Sequence, residues 1–393
     1  MCSLHFNLLK LLVLFRLTDI FSPGFCEIPK NISDLISFGE KVRSLSFHLL
    51  NYTNQQKEYV VLAPYTLWNL VSLVAFTTSQ DSWKQLHKTM GVSKLKGNYF
   101  NSFYNYVNNL MTTIHSRASF KIKRVVFYDS RLQLTSNFKD SIMDSGISLK
   151  MLNFDDNVLA SDSANNYIQL SDSFLIPRRI IFDSSDFKET SMIMSAVIEF
   201  EADWAIPFDY SLSDRYVLRQ SGRFFYTDIE WLRASVLELS YVSDSDFSML
   251  VIRPHHGVTL KDVITNLALN DLDEIFQELY SDGLKEILIE LPKFSLTSSL
   301  TLNDPFKSMG VMDVFSPDAA NFSGISSDNL YILNIEQRVT VTVSEIGTTA
   351  IAYTPANVAK STGRNKIRSS SPFIFLIVHG PSLTIVFCGK YGP

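Results

Sequence analysis

Apolar and polar positions along the chain follow two periods, and the switches between them mark its elements. Residues 33–50, SDLISFGEKVRSLSFHLL, space Leu35, Phe38, Val42, Leu45 and Leu49 three and four apart, one stripe of a helix with Ser33 as its predicted cap. The stretch 64–76, PYTLWNLVSLVAF, is apolar nearly all round behind Pro64, which predicts a buried helix. Further on, 235–254, SVLELSYVSDSDFSMLVIRP, predicts two strands about a polar turn. A second strand pair is predicted in 284–302, LKEILIELPKFSLTSSLTL, with Pro292 at a sheet edge. The chain closes on FIFLIV and LTIVFCG, a buried hairpin turning at His379 to Ser382. No repeat or composition break interrupts the chain from residue 30 onward, so one large α+β domain over 27–393 is expected.

One segment follows neither period. Residues 341–378 read VTVSEIGTTAIAYTPANVAKSTGRNKIRSSSPFIFLIV: alternating at first, then small and polar, then basic, with strand pattern returning after Pro372. Written as a strand, 348–358 turns Thr348, Ala350, Ala352, Thr354, Ala356 and Val358 to one side and Thr349, Ile351, Tyr353, Pro355 and Asn357 to the other. The first face is uniformly small, as suits a strand that inserts between existing strands. An ordinary edge strand followed by a long loop fits the same pattern.

Composition narrows the function. Hydrophobic residues make up 46% and charged residues 19%, a globular balance with ample core. A net charge of -5 gives no footprint for nucleic acid or anionic membrane, and the one basic cluster is Lys360 to Arg368. The apolar run Leu8 to Phe21 is too short to span a bilayer, so residues 1–26 are expected to be a cleaved secretory signal. Cys2 and Cys26 would leave with it, and Cys388 alone would stay. Sequons at Asn31, Asn51 and Asn321 suit the secretory route and an extracellular location. The seven histidines are scattered without metal spacing, and GxSxG, P-loop and GxGxxG patterns are all missing, so no enzyme, metal or cofactor is expected.

Several blocks carry a family resemblance. EIGTTAIAYT (345–354), SPFIFLIVHGPSLTIVFCGKYGP at the end, ELPKFSLTSSLTLNDPFKSMGVMDVFSPDAANFSGIS, SVLELSYVSDSDFSMLVIRP and AVIEFEADWAIPF with Trp204 together resemble the serpins. The resemblance implies a three-sheet fold with about nine helices and an exposed reactive-centre loop at about 345–371. It also implies a monomer that traps a serine protease: cleavage of the loop is followed by its insertion into the central sheet with the protease attached. The family's hinge then corresponds to Glu345, Gly347, Thr348, Ala350, Ala352 and Thr354. Family spacing counted from Glu345 puts the scissile bond between Ser361 and Thr362. A target needing a cation would use Lys360 instead, with Arg364 ranked after it, because an acidic specificity pocket pairs with Lys or Arg.

The departures bear on inhibition rather than fold. Thr349 stands where the family's hinge prefers Glu, Ile351 and Tyr353 replace small residues, and Pro355 lacks an N–H that an inserted strand would donate. Ala63, Ala196 and Gln337, with Thr66, occupy what resemble the positions of a polar cluster under the central sheet. A carrier or binding protein on the same scaffold is the alternative these changes leave open.

Overall fold

The computed structural model describes residues 32–53, 58–78, 80–90, 114–115, 118–144, 146–170, 182–242, 246–333, 335–349 and 371–392. Fourteen strands and eight α-helices lie among them. The first helix, α1 (Ile32–Thr53), buries Phe38, Val42, Leu45 and Leu49, the stripe read from the sequence. It begins at Ile32, so Ser33 sits in its first turn rather than capping it.

The short strand β1 (Val60–Leu62) leads into α2 (Pro64–Thr77), with Pro64 in its first turn, where a missing N–H costs nothing. This helix is apolar all round because it lies between layers: it packs on β14 (Thr384–Tyr391) on one side and on β5 (Met192–Asp203) on the other. Helix α3 (Gln80–Thr89) packs beside it.

One strand path runs β1, β14, β13 (Phe373–His379), β8 (Phe247–Pro254), β7 (Ala234–Ser240), β6 (Val217–Ile229) and β9 (Leu284–Pro292). Along it β6 changes partners: Val217 to Phe225 pair with β9, and Tyr226 to Ile229 pair with β7. The β6–β9 ribbon is thus a small sheet splayed from the larger one. The second path runs β10 (Phe294–Thr301), β11 (Glu336–Val343), β12 (Gly347–Thr349), β5, β3 (Ala118–Asp129) and β2 (Ile114–His115), with β4 (Ser148–Leu152) parallel to β3. This is the three-sheet α+β fold expected.

The strand pair at 284–302 divides between sheets. Pro292 ends the edge strand β9, and β10 begins two residues later as the edge of the other sheet. The closing hairpin forms as read, its turn shifted by one residue to Gly380–Leu383, with Leu383 left-handed at φ 51°. Strand β13 is buried along its whole length, being central in its sheet and covered on both faces. In β3 alternate residues serve different cores. Val126 joins the main core, whereas Val125 and Phe127 join a smaller one with Ala160, Ala164 and Ile168 of α5 (Asn157–Leu170). The remaining helices are α4 (Ser136–Asp144), α6 (Leu260–Leu269), α7 (Leu272–Asp282) and α8 (Asn303–Ser308).

Candidate functional site

The segment the sequence set apart begins inside the central sheet. After β11 the chain turns through Ser344, Glu345 and Ile346 and re-enters as β12. Thr348 lies opposite Val343 of β11 on one side and opposite Ala202 of β5 on the other. Among the described residues no ladder joins β5 to β11; β12 is what bridges them.

The turn is held by backbone and side chain alike. Ser344 donates its N–H to the Gly347 carbonyl at 2.9 Å, and its hydroxyl donates to the same oxygen at 3.0 Å. The Ile346 carbonyl accepts from Trp204 N at 2.8 Å, the Glu345 carbonyl from Phe208 N at 2.8 Å, and the Ser344 carbonyl from the Trp204 indole at 3.0 Å. The Glu345 carboxylate pairs with Lys293, the residue between β9 and β10, and both side chains are mostly buried.

Gly347 is required here by its neighbours rather than by its torsions. A Cβ at this position would fall inside contact of the Ala202 carbonyl and 2.7 Å from Asp203 Cα. Thr348 is buried, and its hydroxyl accepts from Tyr241 at 2.8 Å. The Tyr241 ring stacks on Trp204 at 4.6 Å, and burial pushes its phenol pKa up, which keeps it a donor at any working pH.

Beneath the sheet the polar cluster is rewired. Gln337 of β11 accepts from Ala63 N at 3.0 Å and donates to Ala63 O at 2.9 Å, so one amide satisfies both backbone groups of the residue that starts α2. Ser298 of β10 accepts from Val61 N at 2.9 Å. Thr66 is buried, with no hydrogen-bond partner for its hydroxyl among the described residues. Ala196 lies in β5 opposite Arg124 of β3.

Of the sequence-predicted site residues, Glu345, Gly347 and Thr348 come together at this turn. Ala350, Ala352, Thr354, Pro355, Lys360, Ser361, Thr362 and Arg364, and the sequon residue Asn31, lie outside the described residues. Asn51 is exposed near the end of α1, and the Asn321 side chain accepts from Ser323 N and Oγ at 3.3 and 2.9 Å. Among the described residues no group of three His, Cys, Asp or Glu could hold a metal, and no helix is long and apolar enough to cross a membrane. The sequence reading missed Tyr241 and Lys293 as partners of the hinge. Both stand in quoted blocks, but 52 residues separate Lys293 from Glu345 and 107 separate Tyr241 from Thr348, so no local pattern links them.

The arrangement defines a protein whose central sheet holds the segment after Ser344 as a short strand between β5 and β11. The family model described as Serpin (serine protease inhibitor) matches residues 40–392, and the chain belongs to that family. It is therefore one of a family of protease inhibitors rather than of enzymes. Plasminogen activator inhibitor 1 of Bos taurus is 23% identical over 351 residues, covering 84% of this chain and 86% of the relative. Cleaved Serpin 42Da superposes with a TM-score of 0.76 at 20% identity, covering 90% of this chain and 98% of that one. Human thyroxine-binding globulin bound to thyroxine follows with a TM-score of 0.73 at 18% identity, covering 91% and 98%.

Proposed function

We propose that the chain is a secreted, monomeric inhibitor of a serine endopeptidase of trypsin-like specificity, used up in one reaction through insertion of its cleaved loop. Residues 1–26 serve as the signal, 27–393 as one domain and 345–371 as the reactive loop. Lys360, Ser361 and Thr362 flank the cleaved bond, and Asn31, Asn51 and Asn321 are the glycosylation acceptors.

The observation that carries this reading is the position of β12 between β5 and β11, which are not paired with each other along the rest of their length. Continued in the same register, a strand would turn 350, 352, 354 and 356 inward with buried Thr348, and Ile351 and Tyr353 outward. The small face is then the face toward the main core, shared with Phe200 and Ala202 of β5. Seven residues beyond Thr348, Pro355 would stand opposite Ser195 of β5 and Glu336 of β11. Ile346 presents its carbonyl to β5 and Gly347 presents its own to β11, so odd positions turn their backbone to β11. The N–H that proline lacks is thus one that Glu336, the first residue of β11, would have accepted. One bond, worth about 1 kcal/mol net, is lost at the strand's end.

The second reading is a binding or carrier protein on the same scaffold, as the name of thyroxine-binding globulin describes for that relative in structure. Pro355 and the rewired polar cluster favour it. Incubation of the mature protein with trypsin, elastase and chymotrypsin, followed by a denaturing gel that preserves acyl esters, separates the two. The inhibitor gives a band at the summed mass and a cleaved form that melts far higher. Clean cleavage without that band, across all three proteases, overturns inhibition.

A further inference from the structure

Four large apolar side chains are left in solvent on two short segments that are bonded to one another. Ile206 is 45% exposed, Tyr210 58% and Tyr216 70%, all on the connection from β5 to β6; Ile346 of the hinge is 50% exposed. Single exposed apolar residues are ordinary on any surface. These four share a frame: Trp204 and Phe208 donate to the carbonyls of Ile346 and Glu345, and Lys293 N donates to the Tyr216 carbonyl at 2.8 Å. Arg215 is exposed beside them, its guanidinium 5.7 Å from the centre of the Tyr216 ring, and no acid pairs with it among the described residues.

The described residues on either side of segment 350–370 both lie at this end of the molecule. The segment leaves from Thr349, at the end of β12, and returns at 371–372 into β13. The first ring of β13, Phe373, packs against Tyr391 at 5.1 Å and against Phe294, the neighbour of Lys293, at 6.2 Å. A protein that engages residues 350–370 close to either of their ends would meet this surface.

We propose that Ile206, Tyr210, Tyr216 and Ile346, with Arg215, form a second contact surface for the protease that cleaves the loop. The proposal rests on the inhibitor reading for its partner but concerns recognition before cleavage, not trapping after it. Tyrosine and arginine are the residue types that protein interfaces concentrate, because each covers much area while losing few rotamers or makes directional charged bonds. The unpaired guanidinium selects a partner with an acidic group at its rim, and the aromatic pair supplies apolar contact. The surface would let the folded chain bind its protease better than the loop sequence alone does.

The test compares kcat/KM for cleavage between 345 and 371, using whichever of trypsin, elastase and chymotrypsin cleaves the loop fastest. The full chain is set against a synthetic 345–371 peptide, which carries none of the surface except Ile346. Tyr210→Ala with Tyr216→Ala, and separately Arg215→Glu, are expected to lower the full chain's value about fivefold or more, while melting temperature stays unchanged. Met143→Ala, an exposed apolar residue on α4, is expected to change nothing. Values within twofold of the parent for both variants, or an equal fall for Met143→Ala, overturn the proposal. So does a peptide cleaved as fast as the folded chain. Cleavage rate is read whether or not a covalent complex follows, so absence of that complex would overturn the inhibitor reading while leaving this one decided by its own numbers.

Discussion

Gln337 and Ala63, 274 positions apart, are joined by two hydrogen bonds through a single side-chain amide. The bonds tie β11 of the central sheet to the residue that opens α2, a helix packed against both major sheets. An amide does this without a titratable group, so the clamp holds at any pH at which the chain is folded.

Gln337→Leu keeps the volume and removes both bonds, leaving the buried Ala63 N–H unpaired while the Ala63 carbonyl keeps its bond from Leu67 N at 3.2 Å. The expected cost is about 1–3 kcal/mol, that of one orphaned group. Urea unfolding at neutral pH measures it, and Gln337→Glu serves as a partner variant that keeps the acceptor but loses the donor.

Gly347→Ala drives a methyl group into the backbone of β5 at Ala202 and Asp203. Backbone cannot swing aside as a flexible side chain would, so β12 is expected to leave the sheet. Limited proteolysis between 344 and 354 should accelerate severalfold, and the Trp204 emission should shift as its hinge contacts are lost.

Lys293→Ala strands the Glu345 carboxylate in a mostly buried site, at an expected cost of about 2 kcal/mol after allowing for partial exposure. Glu345→Gln in the same chain should return part of that loss, because the stranded charge goes with it. A double-mutant cycle in urea measures the coupling.

His379 ends β13 fully buried, its Nδ1 2.7 Å from Ser382 Oγ and its ring against Phe247. Burial lowers its pKa from 6.5 to about 4, opposed in part by Asp246. The unfolded chain therefore takes up a proton between those values that the folded chain refuses. Stability is full above about pH 6.5 and declines as pH falls toward 4, by on the order of 2 kcal/mol by pH 5. His379→Gln should flatten that part of the stability profile, measured as urea midpoints from pH 5 to 7.5.

Pro355→Ala supplies the N–H that β11 would accept at Glu336. If the cleaved loop inserts in the register of β12, the variant's cleaved form should gain about 1 kcal/mol over the parent's. Thermal melts of the two cleaved forms measure it, and the uncleaved forms should melt alike.

The sequence by itself determined what depends on neighbours along the chain. The period of Phe38, Val42, Leu45 and Leu49 wrote α1, Pro64 and an unbroken apolar run wrote α2, and two apolar runs around a short turn wrote the last hairpin. It also set apart 341–378 and gave 348–358, written as a strand, a uniformly small face, because both are visible in order alone. Tertiary structure decided what depends on residues far apart. The separation of Leu284–Pro292 from Phe294–Thr301 into two sheets follows from which partners each strand meets, not from its own pattern. Lys293 found Glu345, Tyr241 found Thr348 and Gln337 found Ala63 because packing two sheets about one helix brings those positions together. The need for glycine at 347 arises only when β5 lies against it, since a strand's own torsions would admit any residue there.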